Sequence, residues 1–413
     1  MRAMRWVIGA AVLLVGCGGT PDRDRVIQLH VLVWKANNPH AWDEALRRFH
    51  AAHPGIRVVL EEGPNSSTQL HDLLAQKLRN RDTSLDAFLM DVVWPPEFAA
   101  AGWTLPLDNR FSEEDRSRFF PGCMSAVTYE GAIHGVPFFT DSGVLYYRRD
   151  LLAARGFDPP RTWNELVEQA GKLGARWGFS GQFRQYEGLV CNMLEFVHAH
   201  GGDLMHPSSP VAVEAVRFVR DRIIGTLAPR GVLTYQEQES LDLFKSGGAA
   251  FLRSWPYAWT ILEDPAHSEV AGRVGIARLP AFEGGRSVST LGGWSFGIHR
   301  HSRHPDEAWA FVRFMTGPEM QRHFAIRVGK APARRELYAD PAVLEANPHF
   351  AELRPVFETA TPRPRSPIYP RISHILQRYF HQALSDPESA IEELARTAEE
   401  QIEGEMARIA AAE

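Results

Sequence analysis

Residues 26–62 give the clearest indication of the fold class of this chain, and they read VIQLHVLVWKANNPHAWDEALRRFHAAHPGIRVVLEE. The first nine of these residues are rich in β-branched side chains and predict a buried strand. Residues 41–55 carry apolar side chains at helical spacing and end in Pro-Gly, and residues 56–62 predict a second strand. Because a strand, a helix and a strand in this order favour parallel pairing, the stretch predicts a sheet covered by helices.

The same alternation continues along the chain and then begins again. A second helix is predicted from Ser67 or Thr68, and the segment LDAFLMDVVW predicts a third strand that ends near Asp91. A second region of strands and helices covers roughly residues 141–290. The last part is predicted to be helical, with one apolar face along residues 391–409. The chain is therefore predicted to be an α/β protein with two α/β regions.

The first residues predict export rather than a part of the fold. Arg2 and Arg5 precede the apolar run WVIGAAVLLVG, which is short for a membrane span and fits a signal peptide. The run ends in LVGC, which resembles a bacterial lipobox with Cys17 as the lipid-bearing residue. We therefore expect a lipoprotein signal peptide at residues 1–17 and a tether at 18–25. The alternative is an ordinary signal peptide with an incidental cysteine.

Composition narrows the functional class. The 413 residues favour two domains, and the net charge of −5 argues against nucleic acid as the main partner. Nucleotide-binding, metalloprotease and serine-hydrolase motifs are absent from the sequence, so neither a metal nor a cofactor is predicted. Cys123 and Cys191 permit a disulfide in an exported protein, and two buried free thiols are the open alternative.

Aromatic, acidic and arginine residues collect at predicted strand ends and loops. Such a set suits a sugar, since an indole ring covers the apolar face of a pyranose while charged groups bond its hydroxyls. Carboxyl ends of strands in open α/β sheets also face the ligand crevice. The candidates are Asp91, Asp141, Trp255, Tyr257, Trp294 and Arg363.

Several segments, taken in order, resemble the extracellular solute-binding proteins of sugar ABC importers, and within them the trehalose/maltose-binding lipoproteins. The resemblance covers nearly the whole mature chain. It rests on LMDVVWPPEFAAAGWTLPLD, GVPFFTDSGVLYYRRDLL, RTWNELV, FLRSWPYAW, LGGWSFGI, DEAWAFVRFM and RPRSPIYPRISHILQRYF.

The resemblance implies a periplasmic-binding-protein-like fold of type II, in which two α/β lobes flank a central cleft and a multi-strand hinge joins them. Chain crossings are then expected near Thr140, Phe296 and Ala331. Lobe 1 would contain residues 26–140 and 296–331, and lobe 2 would contain residues 141–295 and 332–413.

The resemblance also implies sugar contacts. Phe139 stands where relatives often have tyrosine, so stacking is kept and a hydroxyl bond is lost. Asn37 stands near a position that is commonly acidic, and Ser66 or Ser67 would supply a contact from the first helices. The implied contacts carried over directly are Asp91, Asp141, Trp255, Gly293, Trp294 and Arg363.

The expected function is a monomeric, non-enzymatic receptor that binds a disaccharide such as trehalose or maltose between its lobes. It would deliver the sugar to the transmembrane subunits of an ABC permease while lipid on Cys17 holds it at the membrane, facing the periplasm or the exterior. One alternative keeps the fold and changes the solute to an oligosaccharide or a glycerol-phosphate ester. Others are an exported glycoside hydrolase that uses Asp91 and Asp141, and a chaperone-like lipoprotein.

Overall fold

Two larger sheets joined by a short hinge organise the described residues, and a third sheet has only two short strands. The computed structural model describes residues 26–34 and 39–411. The strands of this part are β1 (Ile27–Val33), β2 (Ile56–Glu62), β3 (Ala87–Asp91), β4 (Thr128–Tyr129), β5 (Ala132–Ile133), β6 (Val136–Ser142), β7 (Val144–Arg148), β8 (Trp177–Ser180), β9 (Ala249–Ser254), β10 (Val274–Ala277), β11 (Leu291–Ile298) and β12 (Ala331–Pro332).

The α-helices cover the two larger sheets. Those of the described residues are α1 (Pro39–Ala52), α2 (Ser67–Arg79), α3 (Pro95–Ala100), α4 (Glu113–Arg116), α5 (Pro121–Ala126), α6 (Arg149–Ala153), α7 (Trp163–Ala170), α8 (Glu187–Ala199), α9 (Pro210–Phe218), α10 (Glu237–Lys245), α11 (Ala258–Leu262), α12 (Pro305–Met315), α13 (Pro318–Val328), α14 (Pro341–Ala346), α15 (His349–Thr359), α16 (Tyr369–Ser385) and α17 (Ile391–Ala410).

The first sheet has the order β2-β1-β3-β11-β6-β12. As the sequence predicts, β1 pairs in parallel with β2 and with β3. β11 runs antiparallel to both β3 and β6. The reason is the path of the chain: β6 leaves the first sheet for the second, and β11 brings the chain back in the opposite direction.

The second sheet has the order β10-β7-β9-β8. Its strand β7 follows β6 with one residue, Gly143, between them. A Cβ on Gly143 would lie 1.9 Å from Oε1 of Glu195, so a side chain does not fit at this first crossing. One face of the second sheet packs against α8, α9, α16 and α17 in a separate buried cluster.

Three chain passages lie side by side at the hinge. Leu291 pairs with Ser142 at the end of β6. On its other side the backbone of Thr361 bonds to Ser289 at 2.8 Å and to Leu291 at 2.7 Å. The second crossing is therefore near residue 290, and the third lies between α15 and α16, near Thr361.

The crossings expected near Phe296 and Ala331 are wrong. Phe296 lies within β11 and Ala331 within β12, both inside the first sheet. Residues 335–359 also pack with lobe 1, where Tyr338 contacts Phe120 and α14 packs on α13. We therefore draw lobe 1 as residues 26–142 and 291–359 and lobe 2 as 144–290 and 360–411. The first crossing, expected near Thr140, lies three residues later.

Two further observations bear on the sequence-based expectations. Cys123 and Cys191 are both buried free thiols. Of the two alternatives that the sequence left open, the structure therefore has the free thiols and not the disulfide. Among residues 26–34 and 39–411, no helix is long and apolar enough to cross a membrane. Cys17, the expected lipid site, lies outside the described residues.

Candidate functional site

A cavity opens between the lobes beside the hinge, and the empty space of about 580 Å³ within it includes its open mouth. Side chains from both lobes and from the third crossing form its wall. Of the predicted residues, the wall includes Ser67, Asp91, Asp141, Trp255, Tyr257, Gly293, Trp294 and Arg363.

The other three predicted residues are not among the described ones that line the cavity. Ser66 precedes α2 as its N-cap and is not among the described residues that line the cavity. Phe139 is 6% exposed and lies behind the wall. Asn37 falls outside the described residues.

Stacked indole rings form one side of the cavity. The ring of Trp294 is parallel to that of Trp34 within 4°, with centroids 5.5 Å apart, and Trp94 meets it edge-on at 5.3 Å. Trp294 is consequently 7% exposed. The sequence predicts that the Trp294 ring is exposed to a sugar. In the structure the Trp294 ring is buried, and Trp34 is the partly exposed one of the two stacked tryptophans.

The glycines beside Trp294 serve the sheet and the neighbouring lobe. Gly293 has φ of +120°, and a Cβ there would lie 2.5 Å from the carbonyl oxygen of Phe139, next to an irregularity in the pairing of β11 with β6. Only glycine fits such a position without strain. A Cβ on Gly292 would lie 3.0 Å from Cζ3 of Trp255, so this glycine leaves room for that ring.

A buried ion pair holds Trp255 from below. The Arg253 guanidinium lies 4.1 Å from the centre of the Trp255 ring and binds the Glu195 carboxylate through two nitrogens, one of them Nε at 2.8 Å. Glu195 also accepts a bond of 3.1 Å from the backbone N–H of Thr290. One carboxylate thus connects the second crossing to the ring, which fixes that wall relative to the hinge.

Arg363 bridges carboxylates of the two lobes. Its Nη2 donates to Asp91 Oδ1 at 2.8 Å and its Nη1 donates to Glu187 Oε1 at 2.6 Å. Asp91 ends β3 in lobe 1 and Glu187 begins α8 in lobe 2. Burial raises the pKa of Asp91, and the charge of Arg363 acts in the opposite direction. Arg363 therefore holds Asp91 and Glu187 in position, while each of its terminal nitrogens keeps a second N–H donor.

A second charged pair in the wall is not joined by any bond. Burial raises the pKa of Asp141 to about 6, while the charge of Lys330 opposes this shift. Burial likewise lowers the pKa of Lys330. Oδ1 of Asp141 is buried and has no hydrogen-bond partner among the described residues.

Sequence reasoning missed part of this wall. The signals were present but weak: Trp34 ends a predicted strand, Glu187 opens an apolar helix, and Lys330 follows a glycine that stops a helix. Each pattern is equally typical of an ordinary surface position. The missed residues that matter to the chemistry are Trp34, Tyr186, Glu187, Glu237 and Lys330.

Comparison with known proteins identifies the family. Residues 35–322 match the model of the family described as "Bacterial extracellular solute-binding protein". The chain belongs to this family. Its sequence-based assignment to the solute-binding proteins of sugar ABC importers is confirmed, and the family assignment implies an exported protein.

Individual relatives agree with the family assignment. A Deinococcus radiodurans protein named "Probable ABC transporter-binding protein" is 34% identical over 377 residues, which cover 86% of this chain and 87% of the relative. The structure of maltose-bound T. maritima MalE3 matches with a TM-score of 0.87 and 37% identity, covering 91% of this chain and 99% of that one.

A more distant structure supports the fold alone. The ABC transporter solute-binding protein from Agrobacterium vitis with bound D-mannitol has a TM-score of 0.81 at 20% identity, covering 92% of this chain and 99% of that one. The predicted α/β fold of two lobes, of the type II periplasmic-binding-protein kind, is confirmed.

Proposed function

We propose that this family member binds a neutral disaccharide, such as maltose or trehalose, in the cavity between its lobes. The observation that carries the proposal is the combination of an aromatic wall with an excess of carboxylates. The cations that line the cavity in the described residues are Lys330 and Arg363, whereas the carboxylates are Asp91, Asp141, Glu187 and Glu237. Such a wall offers hydroxyl groups many acceptors and repels an anion.

The charge balance separates this ligand from the phosphate ester considered above. A phosphate site favours free basic groups and helix N-termini. Here both terminal nitrogens of Arg363 are bound to carboxylates. Lys330 is the remaining cation of the wall, and the nearby charge of Asp141 offsets it. A neutral sugar therefore fits this wall better than a glycerol-phosphate ester.

The likeness to maltose-bound MalE3 supports an α-linked disaccharide, since that protein is 37% identical over most of both chains. A linear polyol such as mannitol is the second candidate ligand, because it too offers hydroxyl groups to the carboxylates of the wall. Both ligands are neutral and rich in hydroxyl groups, so the wall chemistry suits either. The aromatic surface of Trp34 and Trp255 favours the disaccharide, because a pyranose has an apolar face and a linear polyol has a smaller one.

We further propose that the lobes close on the ligand and that the closed form delivers it to the transmembrane subunits of an ABC permease. A ligand stabilises closure by the amount that it binds the closed state more tightly than the open one. Asp91 and Glu187, one from each lobe, line the same cavity and supply such contacts. Lipid on Cys17 would hold the monomeric receptor at the membrane.

Calorimetry tests this function directly. The full mature chain is titrated with maltose, trehalose, maltotriose, mannitol and glycerol 3-phosphate, and binding of a neutral glucoside is expected. Asp91→Asn is expected to weaken that binding by about tenfold or more, because it removes a charged acceptor. No heat with any neutral ligand, together with binding of glycerol 3-phosphate, would contradict the proposal. Chromatography of the same mixtures checks for hydrolysis, and turnover lost in Asp91→Asn would indicate the glycosidase alternative.

A further inference from the structure

Lys330 reaches the cavity from the end of α13. Gly329 caps this helix in the left-handed conformation, with φ of +69°. A Cβ on Gly329 would lie 2.3 Å from Oγ1 of Thr260 in lobe 2. Glycine therefore permits both the turn and the close approach of the lobes. The residue that follows it, Lys330, lines the cavity where the two lobes meet.

Aromatic rings surround the ammonium group of Lys330. Its Nζ lies 4.4 Å from the ring centre of Phe139, 4.7 Å from that of Tyr257 and 5.4 Å from that of Trp34. The residue is 8% exposed. Within the described part of the chain, its Nζ has no ion pair with a carboxylate and no hydrogen bond. Rings compensate a buried cation in part, but they leave its strong N–H donors without acceptors.

Asp141 presents the complementary deficit in the same cavity. It is 7% exposed, and its Oδ1 is buried with no hydrogen-bond partner among the residues described. A buried carboxylate oxygen without a donor is costly. Lys330 therefore has N–H donors without acceptors, and Asp141 has an acceptor oxygen without a donor. Both residues line the same cavity.

We propose that Lys330 is a ligand contact and that it shares one hydroxyl group, or two adjacent hydroxyls, of the bound sugar with Asp141. Lys330 Nζ donates to the hydroxyl oxygen, and the hydroxyl proton is donated to the Asp141 carboxylate. This inference rests on the proposed function and specifies it, because the subsite requires a free, neutral hydroxyl. A ligand with a deoxy or methoxy group at that position loses one or both bonds.

The competing role for Lys330 is structural. Phe139 and Trp34 belong to lobe 1 and Tyr257 to lobe 2, so the ammonium group could hold the rings together without touching a ligand. That role predicts a loss of stability in the free protein and no change in the dependence of binding on Asp141. The shared-hydroxyl role predicts coupled losses in affinity.

The titration of Asp141 gives a further readout. Protonation removes the acceptor for the hydroxyl proton, so affinity is expected to fall as the pH drops through the pKa of about 6. The groups that face Asp141 are Lys330 and Arg253, which favour its ionised form, and Asp91 and Glu237, which oppose it. In Asp141→Asn this part of the pH dependence is expected to disappear.

Calorimetry with maltose, trehalose, maltotriose and mannitol as probes tests the inference, using whichever the unmodified protein binds most tightly. Lys330→Met is expected to weaken binding about ten- to one-hundredfold. Lys172→Met is the matched control, because Lys172 lies 6.0 Å from the ring of Phe157, outside this cavity, and it is expected to bind as the unmodified protein does. The double variant Lys330→Met/Asp141→Asn is expected to bind no more than about threefold more weakly than the weaker single variant.

Each contrary result has a separate meaning. Binding by Lys330→Met within twofold of the unmodified protein would overturn the inference and leave the proposed function intact. Fully additive losses in the double variant would show that the two residues contact different groups, which also overturns the shared hydroxyl. Absence of binding to all four probes by the unmodified protein would contradict the proposed function itself. Circular dichroism checks folding, and Lys330→Gln replaces Lys330→Met if the latter does not fold.

Discussion

Two buried cations in one cavity have opposite surroundings. Arg363 donates from one terminal nitrogen to Asp91 and from the other to Glu187, so carboxylates of both lobes balance its charge. Lys330 lies among aromatic rings, and the negative charge of Asp141 favours its protonated form although the two side chains form no ion pair. Arg363 connects the two lobes and fixes the positions of the Asp91 and Glu187 carboxylates. The unpaired cation keeps its donors for a ligand, so burial alone does not tell a structural charge from a binding charge.

Removal of the paired cation is expected to have the largest effect. Arg363→Met leaves the carboxylates of Asp91 and Glu187 buried and close together without their shared counter-ion. Breaking one side of a buried ionic cluster typically costs about 3–5 kcal/mol. The free energy of unfolding, measured by urea denaturation at pH 7 without ligand, is expected to fall by that amount.

Arg365 is the matched control for this change. It lies two residues along the same segment, is exposed, and bonds to the Ser125 hydroxyl and the Thr128 carbonyl. Arg365→Met is expected to lower the free energy of unfolding by about 1 kcal/mol or less. Equal losses in the two variants would contradict the structural role given to Arg363.

The sequence predicts some residues of the cavity but not the different surroundings of its two cations. The position of Asp91 in the cavity wall can be predicted, because the run AFLMD indicates a buried strand and the carboxyl ends of such strands face the ligand crevice. The role of Arg363 could not be found, because its partner Glu187 is 176 residues away and looks like an ordinary acid in a first helical turn. Lys330 was missed because a lysine after a helix-ending glycine is typical of a solvated turn. Burial of these groups depends on how the lobes meet, which local patterns do not encode.

For the fold as well, some features can be predicted from local sequence and others cannot. Local alternation predicted β1, α1, β2, α2 and β3, since each element buries one face by its own periodicity. The second and third crossings were misplaced because they depend on pairing between distant segments, such as Thr290 with Thr361. No local signal marks that bridge.

Asp141, which forms no ion pair with Lys330, is expected to have a smaller effect on the free energy of unfolding, and this effect depends on pH. The pKa of Asp141 is raised from its usual value near 4 to about 6, so its ionisation disfavours the folded state. Its contribution is most favourable below pH 4 and is lost as the pH rises through 6. At about 1.4 kcal/mol per pKa unit, the loss reaches about 3 kcal/mol by pH 7.

Asp141→Asn isolates this contribution. The free energy of unfolding is measured for both proteins from pH 4 to pH 7, and the variant is expected to gain up to about 3 kcal/mol relative to the unmodified protein over that range. Subtraction removes the titration of groups distant from Asp141, which both proteins share. A difference that does not change with pH would contradict the raised pKa and the isolation of this carboxylate.

The smallest effect on stability is expected for Lys330→Met, and this separates the two cations most sharply. Methionine keeps an unbranched, flexible side chain and its contacts with the surrounding rings, so packing is largely retained. The variant loses the attraction between the ammonium group and the rings but also avoids the cost of burying an unpaired charge. These contributions oppose each other, so the free energy of unfolding without ligand is expected to change by less than about 1 kcal/mol. A loss as large as that of Arg363→Met would mean that Lys330 holds the lobes together as Arg363 does. A small change, combined with the weaker ligand binding expected above, would establish that one cavity keeps one cation for its structure and another for its ligand.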